Sequence, residues 1–297
     1  MIQAKVTFFQ RASFQRARRL ALVRLLAFGV VLLAAYIGLQ LLPLVLPVAF
    51  RHAFLDQVRV GSAIVLSAAM LALYVGLVRL LEGRPCDELA VRAAAPLAAL
   101  GVAFGAGLFV LTILLLRASH AATWGGSAGS SGLAQAGALA LASAVGEELI
   151  FRGGLFRILE ESLGSALAMT LSGALFGLLH ALNPGATLVS STAIALEAGV
   201  LLAATYALTR SLWAPIGLHF GWNFTEGGVF GAAVSGGQAH GLFKVALAGP
   251  PWLTGGAFGP EASVVAVGVS LAASALLIAL AVRAGRWRRL RFRMTLD

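Results

Sequence analysis

The segment from Gly146 to Gly154 reads GEELIFRGG and lies inside an apolar run that extends from Leu133 to Phe156. An apolar run of this length is sufficient to cross ~30 Å of hydrocarbon as a helix. On insertion scales, one charged side chain at the centre of a membrane helix costs roughly 2.5–3.5 kcal/mol. A segment that keeps two carboxylates and a guanidinium therefore predicts a functional site within a membrane.

The composition of the chain indicates an integral membrane protein. Of its 297 residues, 59% are hydrophobic and 11% are charged, whereas about a quarter of the residues in a soluble domain are charged. The 35 glycines suit membrane helices that pack closely through small side chains. We expect an all-α polytopic protein that forms a single integral membrane domain over residues 1–297.

Apolar runs of about 20 residues predict eight transmembrane helices. The first run is too long for the apolar core of a cleaved signal peptide, and we expect it to be retained and to bend near Pro43 and Pro47. The boundaries are least defined between Gly227 and Glu261. The predicted spans are Leu25–Phe50, Val60–Leu81, Leu97–Leu116, Leu133–Phe156, Ser165–Leu182, Ala186–Leu208, Leu212–Val234 and Val264–Val282.

The formal net charge of +10 does not indicate nucleic-acid binding, because the cations flank the membrane segments. Two basic tails, at residues 1–24 and 283–297, carry many of the 22 Lys and Arg residues. The positive-inside rule then predicts a multi-pass protein with both termini cytoplasmic. Two roles remain open for these tails: they act only as topology signals, or they also bind the headgroups of anionic lipids. The Ala- and Arg-rich bias is compatible with a GC-rich bacterium, and we expect the protein to lie in the inner membrane of a bacterial cell.

Three motifs carry the polar groups of the predicted core, which extends over residues 133–234. In the first, Glu148 and Arg152 are four residues apart and share a helix face, with the acid N-terminal as an ion pair prefers. Glu147 points about 100° away and is predicted to remain free to enter a cavity, where it could accept a proton from water. The alternative is a cluster of ion pairs among these three residues that only holds helices together.

The second and third motifs place imidazoles on the predicted fifth and seventh helices. Phe176 and His180 share one face of the fifth helix, and His219 and Asn223 share one face of the seventh. The His219–Asn223 pair could donate hydrogen bonds to a carbonyl oxygen that gains negative charge. Each motif could instead serve packing or interhelical hydrogen bonding. Together they predict a site between helices four, five and seven.

Depth along the helices supports this convergence in part. With a turn near Ser162, Glu147 and His180 lie about 22 and 27 Å from that turn at 1.5 Å per residue. His219 reaches the same depth only if its helix begins well below the membrane surface.

Other polar residues are assigned more ordinary positions. The lone Cys86 excludes an intramolecular disulfide and is expected to be incidental. Glu197 is predicted either to line the cavity or to make an interhelical hydrogen bond in protonated form. Glu226 is expected to be solvated near a Gly-rich loop. Surface or loop positions are expected for the remaining histidines, His52, His120 and His240.

The segments GEELIFRGG, FGLLH and SLWAPIGLHFGWN resemble the three motifs of the CPBP family, the CAAX proteases and bacteriocin-processing enzymes, also called Abi. The family motifs read EExxxR, FxxxH and HxxxN/D, and this chain matches every fixed position in the same order. The resemblance spans Gly146 to Asn223. It implies an intramembrane endopeptidase similar to the type II CAAX prenyl endopeptidases, and the myxosortases are a further candidate subgroup.

By this resemblance, Glu147 and His180 activate the attacking water, while His219 and Asn223 stabilise the tetrahedral oxyanion. Glu148, Arg152 and Phe176 support them. The family is often labelled metalloprotease, and Glu147, His180, His219 and Asn223 could ligate a divalent ion such as zinc. We favour a metal-free mechanism, because a Glu–His pair needs no metal for acid–base chemistry.

The implied partners are the lipid bilayer and a membrane-anchored or lipidated protein or peptide substrate, with no nucleic acid. The rival interpretation is a non-hydrolytic membrane protein, either a proton-coupled transporter or an immunity factor that binds a peptide. Intramembrane Glu and His also occur in proton relays. However, a transporter would more often show internal repeats, and none is found in the sequence.

Overall fold

The computed structural model of the chain describes residues 20–38, 41, 55–127 and 129–290. Helices dominate this part of the chain, as expected for an all-α polytopic protein. They are α1 (Leu20–Gly38), α2 (Leu55–Leu77), α3 (Ala94–Ala118), α4 (Leu133–Glu148), α5 (Arg157–His180), α6 (Leu188–Ile194), α7 (Val200–Thr209), α8 (Trp213–Asn223), α9 (Pro251–Thr254) and α10 (Val264–Arg283).

Wide, π-helical turns extend four of these helices. They follow α2, α4, α6 and α8, at Val78–Glu82, Leu149–Phe156, Ala195–Gly199 and Phe224–Val229. Such turns displace the backbone hydrogen-bond pattern by one residue and frequently mark functional sites. Three of the four contain or adjoin the polar residues that form the candidate site.

Helices α4 and α5, with the wide turn that joins them, form a hairpin. The helical stretch Leu133–His180 is interrupted at Gly164, whose φ of 75° and ψ of 169° are not helical. The rings of Phe151 and Phe176 nevertheless lie 4.9 Å apart, which is possible only if the chain reverses between them. This reversal lies close to the turn that was predicted near Ser162.

Six helices in the described part of the chain are long and apolar enough to cross a membrane. The 48-residue Leu133–His180 stretch counts as one of them, although its hairpin makes two passes. The helix Trp213–Asn223 with its wide turn is shorter than the predicted span Leu212–Val234. The protein is therefore an integral membrane protein, as its composition indicates.

The first helix begins earlier than predicted, at Leu20. Arg24 therefore belongs to α1 rather than to a basic tail. The bend predicted at Pro43 and Pro47 falls outside the described residues.

Close contact between glycines places α8 against α3. A Cβ atom at Gly105 would overlap the carbonyl oxygen of Leu218, and one at Gly217 would overlap that of Ala98. The contact is reciprocal, as in membrane helices that pair through small residues four positions apart. This contact fixes the position of α8, the helix that carries His219 and Asn223.

A small antiparallel sheet caps one end of the helices, which we call the sheet end. Strand β1 (Ala122–Ser127) pairs with β2 (Phe243–Leu247), with Ala122 opposite Leu247 and a bulge after Trp124. The sequence analysis left this region without assigned structure. The segment between the end of α8 and the start of β2 folds over the start of α4, since the backbone of His240 abuts Gly132.

The opposite end of the molecule is the arginine-rich end, where a set of ion pairs ties the helices together. Glu82 accepts hydrogen bonds from Arg24, Arg84 and Arg157. Glu88 accepts from Arg84 and from the hydroxyl of Tyr74. We call this set the inner ion network; it consists of Arg24, Glu82, Arg84, Glu88, Arg157 and Glu161.

Cys86 lies beside the inner ion network and is half-buried. Burial, with the negative charge of Glu88, raises the pKa of its thiol to about 12. A thiol with so high a pKa is a weak nucleophile at neutral pH.

Candidate active site

The candidate site forms around a buried ion pair between Glu148 and Arg152. The two side chains lie one helical turn apart at the α4 terminus, with Arg152 Nη1 2.9 Å from Glu148 Oε1. Both are essentially inaccessible to solvent. The same carboxylate oxygen lies 3.0 Å from Nδ1 of His219 on α8. One carboxylate thus joins the first and third sequence motifs.

The guanidinium of Arg152 is held by backbone oxygens as well as by the acid. Its Nη2 donates to the carbonyl oxygens of Ala198 and Gly199, at 2.8 and 3.2 Å. These carbonyls belong to the wide turn between α6 and α7. The guanidinium also lies over the ring of Phe176, 4.7 Å from its centroid, as in a cation–π contact.

Glu147 has different surroundings from its neighbour. Its side chain is 18% exposed, whereas that of Glu148 is fully buried. Its Oε2 has no hydrogen-bond partner and lies 4.0 Å from Nε2 of His219. That distance is too long for a direct hydrogen bond, but a single water could bridge the two atoms.

His180 and Asn223 occupy neighbouring walls of the same space. His180 lies at the end of α5, with Nδ1 2.8 Å from the carbonyl oxygen of Phe176, and its ring is 4.5 Å from that of Phe176. Asn223 donates from Nδ2 to the hydroxyl of Ser143, at 3.3 Å. Both residues line one cavity together with Glu147 and His219.

The tautomers of the two histidines follow from their partners. A carbonyl or ionised carboxylate oxygen can only accept, so Nδ1 carries the hydrogen in both rings. In the neutral form, the remaining Nε2 of each ring is then an acceptor. Glu147 Oε2 and His219 Nε2 are consequently two acceptors that face each other without a hydrogen between them. A water molecule that donates to both would satisfy them.

The cavity has a volume of about 240 Å³ and runs along one face of α4. From Gly132 to Glu147 this face presents residues three or four positions apart, as one helix face requires. The opposite wall is formed by α8 and by the segment that precedes β2. The α4 residues that line it are Gly132, Gln135, Ala136, Leu139, Ala140, Ser143 and Glu147.

A second set of buried acids lies behind the imidazoles. Glu197 accepts from the hydroxyl of Ser270, and Glu261 accepts from the backbone N–H and the hydroxyl of Ser235. Glu197 and Glu261 also border a void of about 20 Å³ that is shared with His180 and His219, enough space for one water. Glu197 therefore combines the two positions that the sequence left open.

The expectation for Glu226 is wrong. Its side chain is fully buried, and Trp222 donates from its indole nitrogen to Glu226 Oε2 at 3.2 Å. The wide turn after α8 keeps Glu226 on the interior side of the helix, whereas the following glycines had indicated a solvated loop. Its Oε1 has no partner.

Three cavity residues were missed by the sequence analysis or assigned elsewhere. Ser143 lies one turn before Glu147 and contacts Asn223, and its helical spacing from Glu147 was the one available signal. Gln238 and His240 reach the cavity from the loop before β2. His240 is exposed in a loop, as expected, and it also lines the cavity; no local pattern indicates how that loop folds.

The depth of His219 is explained by a recessed start of α8. Ser211 and Leu212, immediately before the helix, are buried. The backbone N–H of Leu212 donates to the carbonyl oxygen of Glu88 in the arginine-rich end. Helix α8 therefore begins below groups of the arginine-rich end, which is the recessed start that His219 needs to reach the depth of Glu147 and His180.

A metal ion at this site would meet both imidazoles at Nε2. Over the described ranges, no group of three His, Cys, Asp or Glu side chains is placed to hold a metal ion. The Nδ1 atoms of His180 and His219 are engaged by Phe176 and Glu148.

One protein-family model matches the part of the chain that contains all three motifs. Residues 129–225 match the model of the Rce1-like family, described as type II CAAX prenyl endopeptidase Rce1-like. No curated protein and no solved structure matches the chain. The matched segment covers α4 to α8, the helices that carry Glu147, His180 and His219. Residues 129–225 are therefore similar to the type II CAAX prenyl endopeptidases, the family that the three motifs resemble.

Proposed function

We propose that the protein is an intramembrane endopeptidase in which Glu147 is the general base. The observation that carries this proposal is that Glu147, a residue of the cavity lining, has an unpartnered Oε2 that lies 4.0 Å from His219 Nε2. A water bound there donates one hydrogen to each acceptor and keeps its oxygen lone pairs free for attack. The partly enclosed, apolar surroundings strengthen these polar contacts.

In the first step, the water oxygen attacks the carbonyl carbon of the scissile peptide bond. The proton passes to Glu147, and negative charge develops on the former carbonyl oxygen. Asn223 donates its amide hydrogen to this oxyanion, exchanging its contact with Ser143. In the second step, the C–N bond breaks and Glu147 returns the proton to the leaving nitrogen, which gives a carboxylic acid and an amine; the acid then releases its remaining proton to water as a carboxylate.

The other residues of the three motifs act through these groups. Glu148 fixes the tautomer and direction of His219, and Arg152 neutralises Glu148. The resemblance assigns the second contact of the water to His180, whereas the described distances favour His219. Kinetics of His180→Ala and His219→Ala separate the two assignments, because loss of the water-binding imidazole lowers kcat rather than raising KM.

The decisive variant is Glu147→Gln, which keeps the shape of the side chain and removes the base. We expect membranes from cells with this variant to accumulate an uncut membrane-anchored precursor that wild-type cells process. Glu161→Gln is the matched control, since Glu161 is a partly exposed glutamate of the inner ion network. Wild-type processing by Glu147→Gln would contradict the protease mechanism and favour a binding or transport role.

We propose further that water activation is metal-free, because the two acceptors need only a shared water. Purified protein should retain its cleavage rate after treatment with a chelator. Activity that is lost to the chelator and restored by zinc would overturn this part of the proposal alone.

A further inference from the structure

We propose that the catalytic cavity opens on the extracytoplasmic side of the membrane and takes an extracytoplasmic segment of an anchored polypeptide. This inference rests on the proposed peptidase function for the nature of the ligand. The direction of opening rests on two separate observations: the shape of the cavity and the distribution of cations between the two ends of the molecule.

The cavity reaches the surface at the sheet end. Its lining includes Gly132 at the start of α4, together with Gln238 and His240 from the loop before β2. Gln238 and His240 are exposed. From Gly132 to Glu147, fifteen residues along one face of α4 correspond to about 22 Å at 1.5 Å per residue. The sheet end therefore gives a continuous path to Glu147.

Beyond Glu147, the same face of α4 is closed. The next residue on this face, Phe151, is buried and packs edge-to-face on Phe176, with the ring centroids 4.9 Å apart. Arg152 fills the neighbouring volume and is 1% exposed. The lining of the cavity that contains Glu147 includes no residue from the arginine-rich end.

The cations mark the closed end as cytoplasmic. Arg24, Arg84 and Arg157 meet there in the inner ion network. Arg210, on the same side, pairs with Glu160. The other arginines in the described turns and tail of this end are Arg79, Arg92, Arg283, Arg286, Arg288 and Arg289. The sheet end carries Arg59, Arg117 and Lys244 by their positions in the helices and strands. The excess of Lys and Arg faces the cytoplasm.

The lining of the cavity narrows the chemistry of its ligand. None of the lining residues is Lys or Arg, so the cavity offers a free C-terminal carboxylate neither a guanidinium nor an ammonium group for a strong charge-assisted hydrogen bond. The polar groups are amides, hydroxyls and imidazoles, with Glu147 as the one ionisable acid in the lining. This surface suits a continuing chain that is uncharged or basic around the cleaved bond, on the outer side of its membrane anchor.

Labelling of single cysteines in bacterial cells tests the direction of opening without any assay of activity. In a full-length Cys86→Ser background, Gln238→Cys places a thiol at the mouth, and Asp87→Cys places one on the exposed turn at the arginine-rich end. We expect a membrane-impermeant maleimide to label Gln238→Cys in intact cells. Asp87→Cys should be labelled only after permeabilisation of the inner membrane. The reverse pattern would overturn the inference and leave the peptidase mechanism intact.

A second measurement addresses the ligand. In cells that carry Glu147→Gln, a protease added outside the inner membrane should digest the accumulated precursor within the segment that wild-type cells cut. Protection of that segment until lysis would place the substrate on the cytoplasmic side and contradict the inference. Absence of any accumulated precursor would instead count against the proposed peptidase function, while the labelling result would stand.

Discussion

Two of the groups of buried charges in the described part of the chain, the inner ion network and the site cluster, differ in how completely their polar atoms are paired. In the inner ion network, Glu82 alone accepts from three arginines, and none of the network's buried side-chain atoms lacks a hydrogen-bond partner in the described structure. The site cluster contains Glu147, Glu148, Arg152 and His219. In it, Glu147 Oε2, Glu148 Oε2 and Arg152 Nε remain unpartnered.

The difference teaches how a structural ion cluster is distinguished from a reactive one. Buried polar atoms are nearly always satisfied, because an unmade hydrogen bond costs about 1–3 kcal/mol. Residues that only hold helices together can meet this requirement. A site that must bind water and substrate leaves atoms free for them.

The largest effect on stability is expected from the inner ion network. Glu82→Gln removes the charge that three arginines share and leaves Arg157, which is 10% exposed, without its closest acid. Removing one partner of a buried ion pair lowers the free energy of unfolding by about 3–5 kcal/mol. Because Arg24 and Arg84 are partly exposed, we expect a loss near the lower end of this range. Thermal unfolding of the detergent-solubilised protein measures the loss.

Cleavage per folded molecule should be little changed in Glu82→Gln. If catalysis fell while the melting temperature did not, the distinction between the two clusters would be wrong.

Glu148→Gln should have the opposite effect, with a large loss of catalysis and little loss of stability. The amide oxygen can still accept from Arg152 and His219, so the fold is retained, but His219 loses the negative charge beside Nδ1 and with it the stronger, charge-assisted hydrogen bond. We expect kcat to fall by roughly 10²-fold, the lower range for groups involved in proton transfer. Steady-state kinetics beside a melting curve make the comparison, and unchanged kcat with a lowered melting temperature would assign Glu148 to structure alone.

The approach of α3 to α8 tests whether the site depends on helix spacing. Gly105→Ala places a methyl group against the Leu218 carbonyl, and overpacking of this kind costs about 1–3 kcal/mol. We expect a lower melting temperature and weaker cleavage, because α8 carries both His219 and Asn223. Gly107→Ala on the same helix is the control, since nothing lies within 4 Å of its added methyl. Equal behaviour of the two variants would refute the spacing argument.

The smallest effect concerns acid stability. Burial is the largest single influence on the pKa of Glu88 and raises it, but the hydrogen bonds from Arg84 and Tyr74 and the charge of Arg157 together outweigh burial and lower this pKa. A carboxyl group with a lowered folded-state pKa stabilises the fold above its unfolded value of about 4.3, and this contribution is lost as the pH falls through the folded value. Melting temperatures below pH ~4.3 should therefore decline less in Glu88→Gln than in the wild type.

The sequence predicted those parts of the site that local periodicity determines. The pairing of Glu148 with Arg152 follows from a spacing of four residues on a helix, and the separate position of Glu147 follows from the same geometry. The spans were predicted from apolar length alone. Each of these results depends on neighbours within one or two helical turns.

The remaining features depend on contacts that are distant in the sequence. Glu226 was placed wrongly because a wide turn and Trp222 bring it inside, whereas local composition favoured solvent. The partners of Arg152 on the wide turn after α6 have no local signature, because backbone carbonyls exist at every position. The loop that brings His240 to the cavity is positioned by a strand pairing between β1 and β2, which lie more than a hundred residues apart in the chain.

The wide turn at Ala195–Gly199 has a consequence for how this site tolerates change. Two of its peptide oxygens solvate the Arg152 guanidinium in place of water, so the cation needs only Glu148 as its acid partner, and the charge of Glu147 remains available for chemistry. Deleting one residue there would restore ordinary helical winding and rotate both oxygens away. A region without any reactive side chain would then control whether the neighbouring acid works as a base or becomes one more counter-ion.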